Sequence, residues 1–157
     1  MCGYVGFTNK IDNSNKVLGD MMELIRHRGP DSDGVYIDEG IALGFRRLSI
    51  IDLSTGDQPI YNEDKTKVLM FNGEIYNYMD IREKLVAAGH TFRTKSDSEV
   101  LMHGYEEYGE GLLNMLRGMF SFVIWDVNSG ELFGARDFFG IKPLYYAKMG
   151  ESFLFGS

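Results

Sequence analysis

The residue with the most reactive side chain in this sequence stands at its second position. The chain contains one cysteine, Cys2, between the initiator Met1 and Gly3. Without a second cysteine, this thiol is a buried structural group, a stray surface group or a nucleophile, and its residue type alone favours burial. Its position favours the nucleophile instead, because a small residue at position 2 permits removal of Met1. The mature chain then begins with a free amine beside a thiol.

That amine can serve as the base for its own side chain. An α-amine and a free thiol both titrate within about two pH units of neutrality, so the amine can accept the thiol proton without a histidine partner. The three histidines, His27, His90 and His103, show no zinc-ligand spacing, so we expect them to be structural and assign no metal. A Cys2–His27 dyad is the less favoured alternative.

A second candidate feature is the tripeptide Asn72-Gly73-Glu74, which follows the apolar stretch Val68–Phe71. An amide side chain and a neighbouring backbone N–H can converge on one point and form an oxyanion hole. Loss of one such donor typically costs about 3 kcal/mol of transition-state stabilisation. The alternative is an ordinary Asn-Gly turn, which the tripeptide taken alone favours.

Charged residues offer further candidates for binding. Arg46 and Arg47 are adjacent in an apolar β segment, so they place one guanidinium on each face, and a buried one could bind a carboxylate bidentately. A surface ion pair explains the arginines equally well. Asp97 in the first turn of a helix suits the helix dipole, and Glu74 can be a solvated turn residue.

The elements that must position these residues follow from the hydrophobic pattern. A chain of 157 residues, 44% of them hydrophobic, fits one domain with a sizeable core. Four helices are expected near residues 17–25, 78–85, 97–108 and 112–116, the third opened by a capping box of Ser96 and Glu99. The expected strands are Met1–Phe7, Gly34–Ile37, Ile41–Ile51, Lys67–Phe71, Met119–Asp126, Glu131–Arg136, Leu144–Lys148 and Ser152–Phe155. This arrangement predicts an α+β layered domain.

Composition excludes several classes of function. The net charge is −7, from 23 acidic and 16 basic residues, and no Lys/Arg block is present, which argues against a nucleic-acid partner. Residues 1–27 lack the apolar core of a signal peptide and no apolar run could span a bilayer, so we expect a cytoplasmic protein without membrane contact. The segment Gly134–Lys142 superficially resembles a phosphate loop, but it lacks the glycine spacing of that loop, and Pro143 stands where the loop has Ser or Thr. Nucleotide binding by this segment is therefore not supported.

Several motifs together resemble one family, the glutaminase domain of glutamine-hydrolysing asparagine synthetases. They are Met1-Cys2-Gly3, Arg26–Asp31, Arg47–Asp52, Asn72–Asn77 and Ser96–Glu99, continued by Gly118-Met119-Phe120, Trp125-Asp126 and Arg136–Tyr146. The resemblance runs along the whole chain and implies one glutaminase domain over residues 1–157. It also implies an N-terminal-nucleophile hydrolase fold of α+β class, a four-layer αββα sandwich with two antiparallel sheets.

The resemblance implies a role for each matching residue. Cys2 would be the nucleophile, Asn72 and Gly73 the oxyanion hole, and Arg47 the clamp for the α-carboxylate of L-glutamine. The remaining substrate contacts would come from Glu74 and Asp97 at the α-ammonium and from the segment Leu48, Ser49, Ile50 and Ile51. The implied reaction yields glutamate and ammonia through a thioester on Cys2.

The resemblance also sets what this chain is expected to lack and what stays open. It implies no cofactor for this domain, with ATP and Mg required only by a synthetase domain that is absent from this chain and would be its partner; a homodimer is possible. Other amidotransferases, including sugar-amidating enzymes, share such glutaminase domains. If Met1 is retained, its peptide bond ties up the amine of Cys2, and the chain would be an inactive glutamine-binding module.

Overall fold

The computed structural model describes residues 2–9, 11–48 and 57–157. Within these ranges the helices are α1 (Ser14–Leu24), α2 (Tyr78–Ala87) and α3 (Asp97–Tyr108), with 3-10 turns at Arg26–Arg28 and Gly109–Asn114. The strands are β1 (Gly3–Thr8), β2 (Ser32–Ile37), β3 (Ile41–Arg47), β4 (Ile60–Tyr61), β5 (Lys67–Ile75), β6 (Gly118–Asp126), β7 (Glu131–Arg136), β8 (Tyr145–Met149) and β9 (Ser152–Gly156). The fourth expected helix is therefore a 3-10 turn.

The strands form two antiparallel sheets that pack face to face. The first has the order β2-β3-β1-β9-β8 and the second β4-β5-β6-β7. Alternating side chains of each strand point to opposite faces, so each sheet can pack against the other sheet on one face and against helices on its other face. The core between the sheets includes Tyr4 and Phe45 from the first sheet and Met70 from the second. This core holds the two sheets together.

The outer faces of the two sheets are covered by helices. Phe7 of the first sheet packs with Leu18 of α1. Phe71 of the second sheet packs with Leu85 of α2 and Leu101 of α3. The layers are thus helix, sheet, sheet and helices, which confirms the α+β sandwich with two antiparallel sheets.

Asn72-Gly73 lies inside a strand, so the expectation that this dipeptide interrupts the strand is wrong. β5 continues to Ile75, and Gly73 pairs with Phe120 of β6. A Cβ atom on Gly73 would lie 2.2 Å from the carbonyl oxygen of Met119. The close approach of two strands, rather than a turn, is therefore what requires glycine at this position.

The start of α3 is fixed by a cap that differs from a standard capping box. The Ser96 Oγ accepts the Glu99 N–H at 3.3 Å, as expected. The Glu99 carboxylate, however, accepts the N–H groups of Arg93 and Thr94, each at 2.7 Å, and not that of Ser96. Glu99 of α3 is thereby hydrogen-bonded to the segment that precedes the helix, which fixes the position of Asp97 in the first turn.

Candidate active site

Cys2 directly precedes β1 and is half-buried at the edge of the core between the sheets. Its Sγ accepts the Leu48 N–H at 3.4 Å and lies 3.7 Å from the Leu48 carbonyl oxygen. Its own carbonyl oxygen accepts from Nε and Nη2 of Arg28, at 3.3 and 3.2 Å. The Leu48 N–H is thus directed at the sulfur, while Arg28 holds the backbone that carries the thiol.

Arg28 was not assigned a role from the sequence, although it lies in the motif Arg26–Asp31. Gly29, the next residue, packs so tightly that a Cβ atom would lie 2.4 Å from the carbonyl carbon of Arg46. The motif is thus pressed against the end of β3, which brings Arg28 to Cys2. His27 is exposed, and within the described ranges it makes no hydrogen bond to Cys2.

The two adjacent arginines of β3 point to opposite faces, as predicted. The Arg46 Nε donates to the Met22 carbonyl oxygen of α1 at 3.3 Å, on the outer face. Arg47 points to the inner face and is only 8% exposed. Its Nη1 donates to Asp57 Oδ1 at 3.0 Å, and the Asp57 side chain is 86% exposed. Arg47 is therefore a buried cation that binds a carboxylate from the solvent side.

Ser157 connects the start of β1 to Asn72 in the opposite sheet. Its backbone N–H donates to the Tyr4 carbonyl oxygen at 2.9 Å, and its Oγ accepts the Nδ2 of the buried Asn72 at 3.2 Å. The Ser157 carbonyl oxygen also lies 3.2 Å from where a Cβ atom on Gly3 would be. An amide nitrogen carries two hydrogens, so Asn72 can donate to a ligand as well.

One edge of β5 presents a backbone donor next to Asn72. The Gln58 side-chain amide binds both the N–H and the carbonyl of Phe71, at 2.6 and 2.7 Å. The Ile75 N–H donates to Asp97 Oδ2 at 2.9 Å. Since alternate residues of a strand direct their N–H groups to the same edge, the Gly73 N–H points outward between these two. Among residues 2–9, 11–48 and 57–157, no acceptor is seen for it.

Two carboxylates lie at the end of this edge. Asp97 is half-buried at the start of α3, and Glu74 is exposed. Burial raises the pKa of Asp97, and the negative charge of Glu74 raises it further, against the lowering effect of the backbone donors of Ile75 and Ser98. The predicted residues Ser49, Ile50 and Ile51 lie outside the described residues, as do Met1 and the end of the expected strand Ile41–Ile51.

The glycine-containing segment Gly134–Lys142 is organised around Asp137, whose role the sequence did not indicate. The buried Asp137 carboxylate accepts four backbone N–H groups at 2.9–3.2 Å, those of Phe120, Phe139, Ile141 and Lys142. Burial opposes ionisation, but these donors outweigh it and lower the pKa of Asp137. The turn therefore binds its own carboxylate in the way that a phosphate loop would bind an anion.

An open groove of about 890 Å³ lies apart from Cys2, Arg47 and Asn72, none of which line it. One of the carboxylates that line it, that of Asp38, accepts the Trp125 Nε1–H at 2.8 Å, together with the hydroxyl of Tyr36 and two backbone N–H groups. These four donors satisfy the carboxylate internally. We therefore regard the groove as scaffold and the residues around Cys2 as the candidate site.

The chain is similar to known proteins along its whole length. The family model described as a glutamine amidotransferase domain matches residues 1–157. The chain is 51% identical over 162 residues to asparagine synthetase [glutamine-hydrolyzing] 1 of Bacillus subtilis, covering 100% of this chain and 26% of the relative. It is 49% identical over 148 residues to asparagine synthetase [glutamine-hydrolyzing] 2 of Arabidopsis thaliana, covering 92% of this chain and 25% of the relative.

A solved structure supports the fold. Glutamine phosphoribosylpyrophosphate amidotransferase of B. subtilis superposes with a TM-score of 0.78 at 20% identity, covering 99% of this chain and 41% of that one. The chain thus spans about a quarter of the length of the curated relatives. In the described residues, no helix is long and apolar enough to cross a membrane.

Proposed function

Because this chain belongs to the glutamine amidotransferase domain family, we propose that it hydrolyses L-glutamine to glutamate and ammonia at Cys2. The observation that carries this proposal is the environment of the thiol. Its Sγ accepts the Leu48 N–H, and Ser157 connects the start of the same strand to Asn72. The Cys2 thiol and the Asn72 side chain, from opposite sheets, thereby lie at the same end of the sandwich, which supports the proposal.

The proposed chemistry begins with removal of Met1, which frees the amine of Cys2. This amine takes the thiol proton, and the thiolate attacks the carboxamide carbon of glutamine. The oxyanion of the tetrahedral intermediate accepts hydrogen bonds from Asn72 Nδ2 and the Gly73 N–H. As the tetrahedral intermediate collapses, the protonated amine of Cys2 donates this proton to the leaving nitrogen, ammonia is released and a γ-glutamyl thioester remains. Water, deprotonated by the same amine, hydrolyses this thioester to glutamate.

The substrate is a zwitterion, so its recognition requires one cation and at least one anion at a fixed separation. We assign the α-carboxylate to Arg47, because one of its partners, Asp57, has an exposed carboxylate that a ligand can replace. The α-ammonium faces Glu74 and Asp97. The backbone of Leu48 and of residues 49–51 completes the pocket in this proposal.

The ammonia is proposed to serve asparagine synthesis in a synthetase domain, since the relatives with 51% and 49% identity are named asparagine synthetases. ATP and Mg are assigned to that domain, and the reaction at Cys2 needs no cofactor. Exposed apolar side chains support a partner surface: Phe138, Phe139, Ile141, Tyr145 and Tyr146.

A cytoplasmic location agrees with a free reactive thiol, which persists in reducing compartments. A homodimer stays an untested prediction.

The decisive test compares Cys2→Ala with His27→Ala. We expect Cys2→Ala to abolish release of ammonia and glutamate while it retains glutamine binding in calorimetry, because the recognition residues are unchanged. His27→Ala should keep its activity, since His27 is exposed and not part of the proposed machinery. Ammonia release by Cys2→Ala would refute the proposal, and loss of activity in His27→Ala would favour the Cys–His dyad instead.

A further inference from the structure

A second group of chemically versatile side chains lies in the helical layer. His90 follows α2, and His103 and Glu106 lie on α3; the two histidines are among those expected to be structural. The Nδ1 atoms of the histidines are 3.3 Å apart, and His103 Nδ1 lies 3.2 Å from Glu106 Oε2. We propose that His90, His103 and Glu106 bind a divalent transition-metal ion of the zinc type.

The distances between the candidate ligand atoms fit a tetrahedral ion. Metal–ligand bonds of about 2.0–2.1 Å place neighbouring ligands of a tetrahedron about 3.3–3.4 Å apart. The two observed separations, 3.3 and 3.2 Å, are close to this edge length. Among the described residues, these three each offer one ligand atom that lies within 4.8 Å of the others. A fourth position would remain for water.

The other ring nitrogens have the partners that metal-binding histidines usually have. His90 Nε2 lies 3.2 Å from a carboxylate oxygen of Glu107. His103 Nε2 lies 3.5 Å from Glu63 and 3.8 Å from Glu99. Imidazoles that ligate a metal commonly donate their second N–H to a carboxylate, which leaves the first nitrogen unprotonated. These contacts therefore favour Nδ1 as the ligand atom on both rings.

The carboxylate ligand is oriented in the same manner. Asn62 Nδ2 donates to Glu106 Oε1 at 2.8 Å, which leaves Oε2 directed at His103. His103 is 3% exposed, and the Phe92 ring packs against it with ring centroids 4.7 Å apart. A buried imidazole fixed by an aromatic ring and two carboxylates loses little freedom on binding an ion.

An ion at this position would have a structural role. It would join the segment after α2 to α3 and, through Asn62 and Glu63, to the turn after β4. Asp97 lies six residues before His103 on α3, about 9 Å along the helix axis. The proposed ion is therefore separate from the chemistry at Cys2 but stabilises the helix that carries Asp97.

The test is zinc titration of the untagged, chelator-stripped chain in a Cys2→Ser background, which removes the thiol as a competing ligand. We expect one Zn²⁺ per chain, and a midpoint of thermal unfolding raised by about 5–10 °C when free zinc is a hundred times the Kd. Co²⁺ should give tetrahedral d–d absorption without a thiolate charge-transfer band. Absence of stoichiometric binding would overturn the proposal and leave a hydrogen-bonded polar network.

Variants in the same background separate a built site from adventitious binding. His90→Ala should abolish the thermal shift, and Glu107→Ala, which removes only the acceptor for His90, should weaken zinc affinity about 10- to 100-fold. His27→Ala is the matched control and should bind normally, because His27 is exposed and outside the cluster. Zinc binding that survives in His90→Ala would contradict the assignment.

Discussion

Asp97 and Asp137 are both carboxylates that accept backbone N–H groups, but their surroundings differ. Asp137 is buried and accepts four N–H groups from two segments, and its pKa is lowered. Asp97 accepts the Ile75 N–H from the neighbouring strand, stands close to Glu74, and has a raised pKa. The first charge is satisfied by four backbone donors, whereas the backbone donors of Ile75 and Ser98 only partly offset the effects of burial and of Glu74 on the second.

The difference separates scaffold from site. A carboxylate whose lone pairs are all occupied by backbone donors stabilises a turn and has no capacity left for a ligand. In a half-buried carboxylate beside a second anion the ionised form is disfavoured, and a bound cation would stabilise that form. In our account that cation is the α-ammonium of glutamine.

The largest effect is expected from Asp137→Asn. The new amide can accept two of the four N–H groups but turns its own donors toward the other two, and each orphaned donor costs about 1–3 kcal/mol. We expect the midpoint of thermal unfolding to fall by roughly 5–20 °C, with an unchanged KM for glutamine at temperatures where the variant is folded. A variant as stable as the parent would show that the turn does not depend on this charge.

A smaller effect is expected from Asp97→Asn, and it should fall on glutamine hydrolysis and not on stability. The amide oxygen can still accept the Ile75 N–H, so thermal stability should stay near that of the parent. Loss of a charged partner for the ammonium should lower kcat/KM for glutamine about 10- to 100-fold, mainly through KM. If stability falls and KM is unchanged, Asp97 belongs to the scaffold, as Asp137 does, and the two carboxylates do not differ in role.

The smallest effect is the pH dependence of stability, which should have opposite signs for the two residues. The stability contributed by Asp137 is present above its unfolded pKa of about 3.9 and is lost as pH falls through the lowered folded value. The raised pKa of Asp97 makes its contribution greatest below about pH 3.9, and this is lost as pH rises through the folded value.

Unfolding midpoints measured from pH 3 to 7 test these signs. The difference between the parent and Asp137→Asn should shrink toward acid, while the parent should gain relative to Asp97→Asn. Equal slopes in both comparisons would show that the two carboxylates titrate alike. Glutamine KM should also rise as pH falls through the raised pKa of Asp97.

Much of the fold was accessible from the sequence because its patterns are local. Apolar, β-rich stretches between turn-rich segments predicted the strands, and the cap at Ser96 predicted the start of α3. The opposite orientations of Arg46 and Arg47 follow from strand geometry alone. The strand end expected at Phe71 was wrong, because β5 continues through Gly73, whose close approach to Met119 on the neighbouring strand requires glycine there.

The functional residues that sequence reasoning missed depend on contacts between distant segments. Arg28 reaches Cys2 only because its motif packs against the end of β3. Asp137 accepts the N–H of Phe120, which lies in β6, 17 positions earlier in the chain. His90 and His103 are 13 positions apart and show no ligand spacing, yet the packing of the segment after α2 on α3 brings their rings together. Such contacts are determined by tertiary packing, which no local spacing reveals.

In the proposed mechanism, Cys2 is acylated by glutamine with its own freed amine as base. Acid quenching of the chain during turnover, followed by measurement of the intact mass and of the mass of the N-terminal peptide, detects this intermediate. We predict a chain that lacks Met1 and carries one γ-glutamyl group on the Cys2 thiol. Ammonia release by a chain that retains Met1, or an acyl group on any other residue, would contradict the mechanism.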